Sequence, residues 1–186
     1  MSDAGADCNE KVIVLGIGNV LLRDEGFGVR VLEYLVANYD FPDDVELIDG
    51  GTLGVELIRY VVGAGMLLII DSINGGAKPG TLFRLADEQV AAHFAEKISV
   101  HEVGIQDILT MLQLTGRTIP RLVVIGAQPY DLEPGVGLSE PMQKLLPQFA
   151  SGAISELKIW GVHPTRKIKT REIDYSVVAE AKFDRN

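Results

Sequence analysis

The sequence predicts a single-domain α/β/α sandwich with a mostly parallel central sheet and helices on both faces. Two observations predict it. Short runs of β-branched and aliphatic residues alternate with segments of helical periodicity, the pattern of a doubly wound chain. The strand-like runs are also apolar almost throughout, as strands covered on both faces must be.

The elements follow in order. Lys11 to Gly16 is a β-rich run that ends in glycine. A glycine-rich turn leads into a helix over Gly26–Tyr39, where Val29, Leu32, Val36 and Tyr39 recur at helical spacing and Val31 and Leu35 widen the stripe. Phe41-Pro42-Asp43-Asp44 ends that helix. Val45–Asp49 is the second strand, closed by Gly50-Gly51. Thr52 is placed to cap a helix from Leu53 to Val62.

Met66–Ile70 is the third strand, with Asp71 at its C-terminal end. Thr81–Leu85 reads as a further strand. Gly104–Leu114 is helical, with Ile105, Ile108, Leu109 and Leu112 on one face, and Arg121–Gly126 is another core strand. Ser139 is placed to cap a last helix through Met142, Leu145, Leu146 and Phe149. If it runs on towards Trp160, Pro147 should kink it. Right-handed crossovers then bring the strand-to-helix loops to one edge of the sheet.

The whole chain, 1–186, reads as one domain, with residues 1–10 a flexible tail and 163–186 a polar tail. That tail carries Arg166, Lys167, Lys169 and Arg171, which read as a solvated face rather than a docking arm. Acidic residues outnumber basic ones by 26 to 17, a net charge of -9. A field of that sign repels phosphate backbones and anionic bilayers, which argues against nucleic-acid and membrane partners. Cys8 is the only cysteine, so no internal disulfide forms. No signal-peptide pattern and no span-length apolar run is present, and a cytoplasmic protein is expected.

The chemistry concentrates after the strands. Gly16-Ile17-Gly18 opens like a dinucleotide fingerprint, but Leu21 stands where the third glycine belongs. Asp24 and Glu25 occupy the place where a diphosphate would approach, and like charge makes a phosphate ligand costly there. A helix N-terminus beside them stabilises carboxylates instead. Glu25 is read as functional. Asp24 is divided between a site role and a simple helix cap.

Asp71 ends an apolar strand on the edge where open α/β sheets bind ligands. A turn-capping role before Ser72 is its alternative reading. His101 precedes the 104–114 helix, and two carboxylates converging on it would make a site for Zn, Ni or Mn. Asp49 ends a strand on the same edge and is a candidate base, as is Asp24. His-Glu-x-x-His, Gly-x-Ser-x-Gly and a P-loop are all absent, which disfavours a conventional zinc protease, an α/β-hydrolase and a P-loop NTPase.

Five segments occur together and in order: Leu15-Gly-Ile-Gly-Asn19, Leu22-Arg-Asp-Glu-Gly-Phe-Gly-Val29, Asp49-Gly-Gly-Thr52, Ile69-Ile-Asp71 and Ile98-Ser-Val-His-Glu-Val-Gly104. This set closely resembles the [NiFe]-hydrogenase maturation endopeptidases over roughly residues 11 to 150. The resemblance implies an enzyme that removes a C-terminal extension from the precursor of the hydrogenase large subunit once nickel has been inserted. By motif it assigns nickel recognition to Glu25, Asp71 and His101. It implies that the substrate supplies the nickel, with another divalent ion such as Cd or Zn able to stand in, and it favours a monomer. The same residues would also serve a nickel-dependent assembly chaperone that docks without cutting. A nucleotide-binding Rossmann protein and a general peptidase of similar fold are further alternatives.

Overall fold

The computed structural model describes residues 11–90, 110, 112 and 114–168. Its central sheet has five strands: β1 (Val12–Ile17), β3 (Val45–Gly51), β4 (Met66–Ser72), β5 (Leu82–Ala86) and β6 (Arg121–Ala127). They lie in the order β3-β1-β4-β6-β5. All pair in parallel except β5, which closes one edge antiparallel to β6. The mostly parallel sheet expected from the sequence is therefore present.

Residue alternation divides the core in two. Val12, Val14, Leu68, Ile70, Val123 and Ile125 face the long helices α1 (Phe27–Asn38) and α3 (Glu140–Ile159). On this side Phe27 meets Phe149 edge to face, with ring centroids 4.7 Å apart. Ile13, Leu15, Leu67, Ile69, Leu122 and Val124 point the other way, against Leu57, Val61, Ala64, Val90 and Leu112. Burial of each such aliphatic side chain contributes about 1.5–3 kcal/mol, which explains why β1 consists entirely of buried residues.

The 53–62 segment departs from the expected helix. It forms a 3₁₀ turn (Gly54–Leu57) followed by a single α-helical turn, α2 (Ile58–Val61). Gly54 adopts φ +56, a left-handed conformation that interrupts a helix at its start. The first helix, by contrast, matches its expected span to within a residue at each end: Gly26 takes the N-cap position of α1, and Arg23–Gly26 before it is wound as a 3₁₀ turn. α3 runs through Pro147 as one element of 20 residues.

The sequence shows no sign of one further pairing. Tyr39–Asp40 (β2) pairs antiparallel with Thr165–Arg166 (β7). Lys167 extends the contact: its amide donates to Asn38 O (2.8 Å) and its Nζ to Val36 O (2.7 Å). This part of the polar tail is thus docked on the end of α1, contrary to a freely solvated reading, because the end of a helix offers unpaired carbonyls to a cation. Of the predicted 104–114 helix, Thr110, Leu112 and Leu114 are described and are helical; its other residues, and Lys169 and Arg171 of the basic patch, lie outside the described residues. No helix among the described residues is long and apolar enough to cross a membrane.

Two crossovers set the position of the site. The chain passes from β1 through α1 to β3 on one face, then from β3 through α2 back to β4 on the other. The C-terminal ends of β1 and β4 therefore flank the point where strand order reverses, where open α/β sheets hold their ligands.

Candidate functional site

The glycines of the first loop bring this site together. A β-carbon on Gly28 would lie 2.0 Å from Ile70 O and 2.4 Å from Ile17 O. One on Gly16 would lie 2.7 Å from Gly28 O, and one on Gly18 would lie 1.9 Å from Glu25 O. Gly26 is packed on the backbone of Val20, with 2.8 Å between its would-be β-carbon and Val20 Cα. Real β-carbons do not fit such distances. The glycines of the fingerprint-like run hence serve close packing rather than a phosphate. Through them the first turn of α1 rests on the ends of β1 and β4, and the 3₁₀ turn carrying Glu25 packs against β4.

Glu25 and Asp71 are both buried at this junction, at 8 % and 6 % exposure. Glu25 immediately precedes α1, whose N-terminal dipole favours a carboxylate. Asp71 Oδ1 accepts the amide of Ser72 at 2.7 Å, so its turn-capping contact exists alongside its place at the strand end. Asp71 stands opposite Gly126 of β6, one residue beyond the last β1–β4 pair, Gly16–Ile70. His101, the third residue expected here, lies outside the described residues, as do Cys8 and His93. Among the described residues, no three His, Cys, Asp or Glu side chains group together as a metal site.

Asp24 is arranged differently. It is fully buried, and its carboxylate accepts four hydrogen bonds. Oδ2 takes the amides of Tyr130 and Asp131 (both 3.0 Å) and the Ser139 hydroxyl (2.8 Å), while Oδ1 takes the Ser139 amide (2.7 Å). Nor is it a helix cap: no side chain caps either the 3₁₀ turn or α1. Ser139 occupies the N-cap position of α3 but spends its hydroxyl on Asp24 rather than on the helix. A base must reach the proton it removes. The enclosure of Asp24 favours its anchoring role over a catalytic one.

Backbone bonds complete the same contact. Arg23 N donates to Gly135 O (3.0 Å), Asp24 N to Asp131 O (3.1 Å) and Gly135 N to Leu21 O (2.8 Å). Arg23 is held at φ +46, in the left-handed region, and its buried Nε sits 3.3 Å from Asp131 Oδ2 in an ion pair that falls short of hydrogen-bond geometry. Such strain persists only where the surroundings dictate it.

Asp49 is exposed at the end of β3, next to Gly16 of β1, and its Oδ1 accepts the amide of Gly51 (3.0 Å). Unlike Asp24, it remains open to a reactant. Gln128 is a site-supporting residue with no signal in the sequence. It is buried, donates from Nε2 to Asn74 Oδ1 (2.9 Å) and accepts the Ala77 amide (3.1 Å), ordering the loop that follows Asp71.

Known proteins share this fold. The family profile described as hydrogenase maturation protease matches residues 29–156, a span that includes Asp49, Asp71 and His101 and begins just after Glu25. The Hydrogenase 2 maturation protease of Escherichia coli K12 is 39 % identical over 153 residues, covering 82 % of this chain and 93 % of that protein. The hydrogenase expression/formation protein HupD of Rhodobacter capsulatus is 39 % identical over 176 residues, covering 92 % and 84 %. Among solved structures, the hydrogenase maturating endopeptidase HybD from E. coli superposes with a TM-score of 0.81 at 38 % identity, over 84 % of this chain and 98 % of that one.

Proposed function

The chain belongs to the hydrogenase maturation protease family, and from that premise we propose that it cuts the C-terminal extension from the nickel-loaded precursor of a [NiFe]-hydrogenase large subunit. The observation that carries this reading is the burial of Glu25 and Asp71 where β1 and β4 end, held there by glycine contacts that leave no room for a side chain.

In this reading nickel belongs to the substrate. Glu25, Asp71 and His101 offer two carboxylates and an imidazole, a donor set that suits divalent nickel. A precursor without nickel leaves these donors unmatched and binds poorly, so loading is checked by a difference in affinity. Asp49 is the candidate base: its carboxylate takes a proton from water as the water oxygen adds to the scissile carbonyl. That proton then passes to the departing amine nitrogen as the C–N bond breaks. The product is a shortened subunit with a new carboxylate and a free peptide. The acidic surface fits a protein partner rather than nucleic acid or lipid, and a monomer leaves the sheet edge free for that partner.

The test is incubation of the purified chain with matched precursor, with and without inserted nickel, followed by mass spectrometry. A C-terminal loss confined to the nickel-loaded sample is expected. A lasting complex with no shorter product would instead identify a non-cleaving nickel-dependent chaperone. Glu25→Gln and Asp71→Asn should each lower the cleavage rate about 100-fold or more. Normal rates in both would remove these residues from the site.

A further inference from the structure

Asp24 is a completely buried acid next to Glu25 that the proposed reaction does not use. Its four hydrogen bonds all come from one segment, at Tyr130, Asp131 and Ser139, more than a hundred positions downstream. Three backbone hydrogen bonds join the same two segments, between Leu21 or Arg23 and Gly135 and between Asp24 and Asp131. Other buried features serve elsewhere: Arg84–Glu156 ties β5 to α3, and Arg30 pairs with Glu33 within α1. Asp24 alone is built into the turn that carries a proposed substrate contact.

We propose that Asp24 is a positioning residue for Glu25, clamping the 130–139 segment onto the Arg23–Gly26 turn so that the backbone from which Glu25 projects is fixed against β4. The physical basis is the number and charge of the bonds. Hydrogen bonds to an ionised carboxylate are about twice as strong as neutral ones. Here one carboxylate gathers three amides and a hydroxyl. Gly18 lies against the backbone of Glu25, and Gly26 within the turn lies against Val20, so the turn is also packed on the first loop. Moving it by an ångström would move Glu25 by as much. The inference rests on the assignment of Glu25 as a contact to the metal, but not on cleavage itself.

The experiment is a double-mutant cycle on the full chain between Asp24→Asn and Glu25→Gln. Asp24→Asn keeps the shape but turns an NH₂ towards amide donors. Two readouts are taken at a temperature where near-UV circular dichroism shows every variant folded: kcat and KM on nickel-loaded precursor, and affinity for Cd²⁺ by calorimetry. Asp24→Asn should lower kcat on the order of tenfold to a hundredfold with KM nearly unchanged, and weaken Cd²⁺ binding similarly.

In the Glu25→Gln background the same change should have little further effect, because its influence passes through Glu25. An additive loss, or a folded Asp24→Asn with wild-type values, overturns the proposal. If Asp24→Asn does not fold, Ser139→Ala, which removes one of the four bonds, takes its place in the cycle with a smaller effect expected. A wild-type chain that binds Cd²⁺ but does not cleave refutes the proposed reaction, and the cycle is then decided on Cd²⁺ affinity. A wild-type chain that does neither overturns both.

Discussion

At the residue scale the glycines make opposite predictions according to their surroundings. Gly28→Ala would drive a methyl group into two backbone carbonyls, which cannot rotate away. Urea unfolding should show a loss of about 2–4 kcal/mol, and cleavage should fall with it as α1 shifts away from β4. Gly152 lies inside α3, exposed, with open space around its would-be β-carbon. Gly152→Ala should therefore raise stability by about 0.5–1 kcal/mol with activity unchanged. Equal responses would show that the packing argument is wrong. The acid pair Asp24-Glu25 and the strand-end position of Asp71 were legible from charge and position alone. The enclosure of Asp24 was not. The donors that enclose Asp24 lie 106 to 115 residues away in the chain, and no local pattern records such a partner. Ser139 was legible as a helix start, but its hydroxyl answers to Asp24 for the same reason.

At the scale of elements, apolar runs located β1, β4 and β6 because a strand buried on both faces has few other compositions; the edge strands β3 and β5, partly exposed, were found from short β-rich runs beside glycine-rich turns. Amphipathic spacing located α1 and α3. It failed at 53–62, where Gly54 takes a left-handed conformation that the hydrophobic pattern does not reveal. The β2–β7 pair was invisible because two-residue strands carry no period. Periodicity also says nothing of what ties elements together. Edge strand β5 is joined to α3 by a fork: Arg84 Nε and Nη2 donate to the two Glu156 oxygens at 2.6 and 2.9 Å. That bond holds the Arg84 guanidinium above its ordinary pKa. Glu156 is buried while Arg84 is half exposed. Arg84→Ala leaves a buried carboxylate without its partner. Allowing for solvent around the arginine, it should cost about 1–2 kcal/mol in urea unfolding. Lys144→Ala, which breaks the fully surface pair with Glu140, should be nearly silent. A reversal of that order would place the β5–α3 tie elsewhere.

At the scale of the molecule the two edges of the sheet differ. Leu21 follows β1, Leu53 follows β3, and Tyr130, Leu132 and Val136 follow β6; all are exposed large apolar residues on the edge that holds Glu25 and Asp71. The opposite edge carries Lys11, Asp43, Asp44 and Glu46. On the proposed reading, a folded protein substrate that brings a metal to Glu25 would meet the apolar edge first, and apolar area removed from water is where its affinity would arise. Contacts of that kind are made equally in the bound and transition states. Losing them raises KM and leaves kcat alone, whereas losing a donor to the metal lowers the rate itself. Leu132→Ser, at an exposed position that costs the fold little, should therefore raise KM for nickel-loaded precursor about fivefold to thirtyfold at unchanged kcat, the range given by about 1–2 kcal/mol of apolar burial. Glu46→Gln on the far edge should change neither constant. Steady-state kinetics on the two variants separates the cases. A KM effect from Glu46→Gln, with none from Leu132→Ser, would turn the substrate to the other end of the sheet and leave the apolar edge without a role in docking.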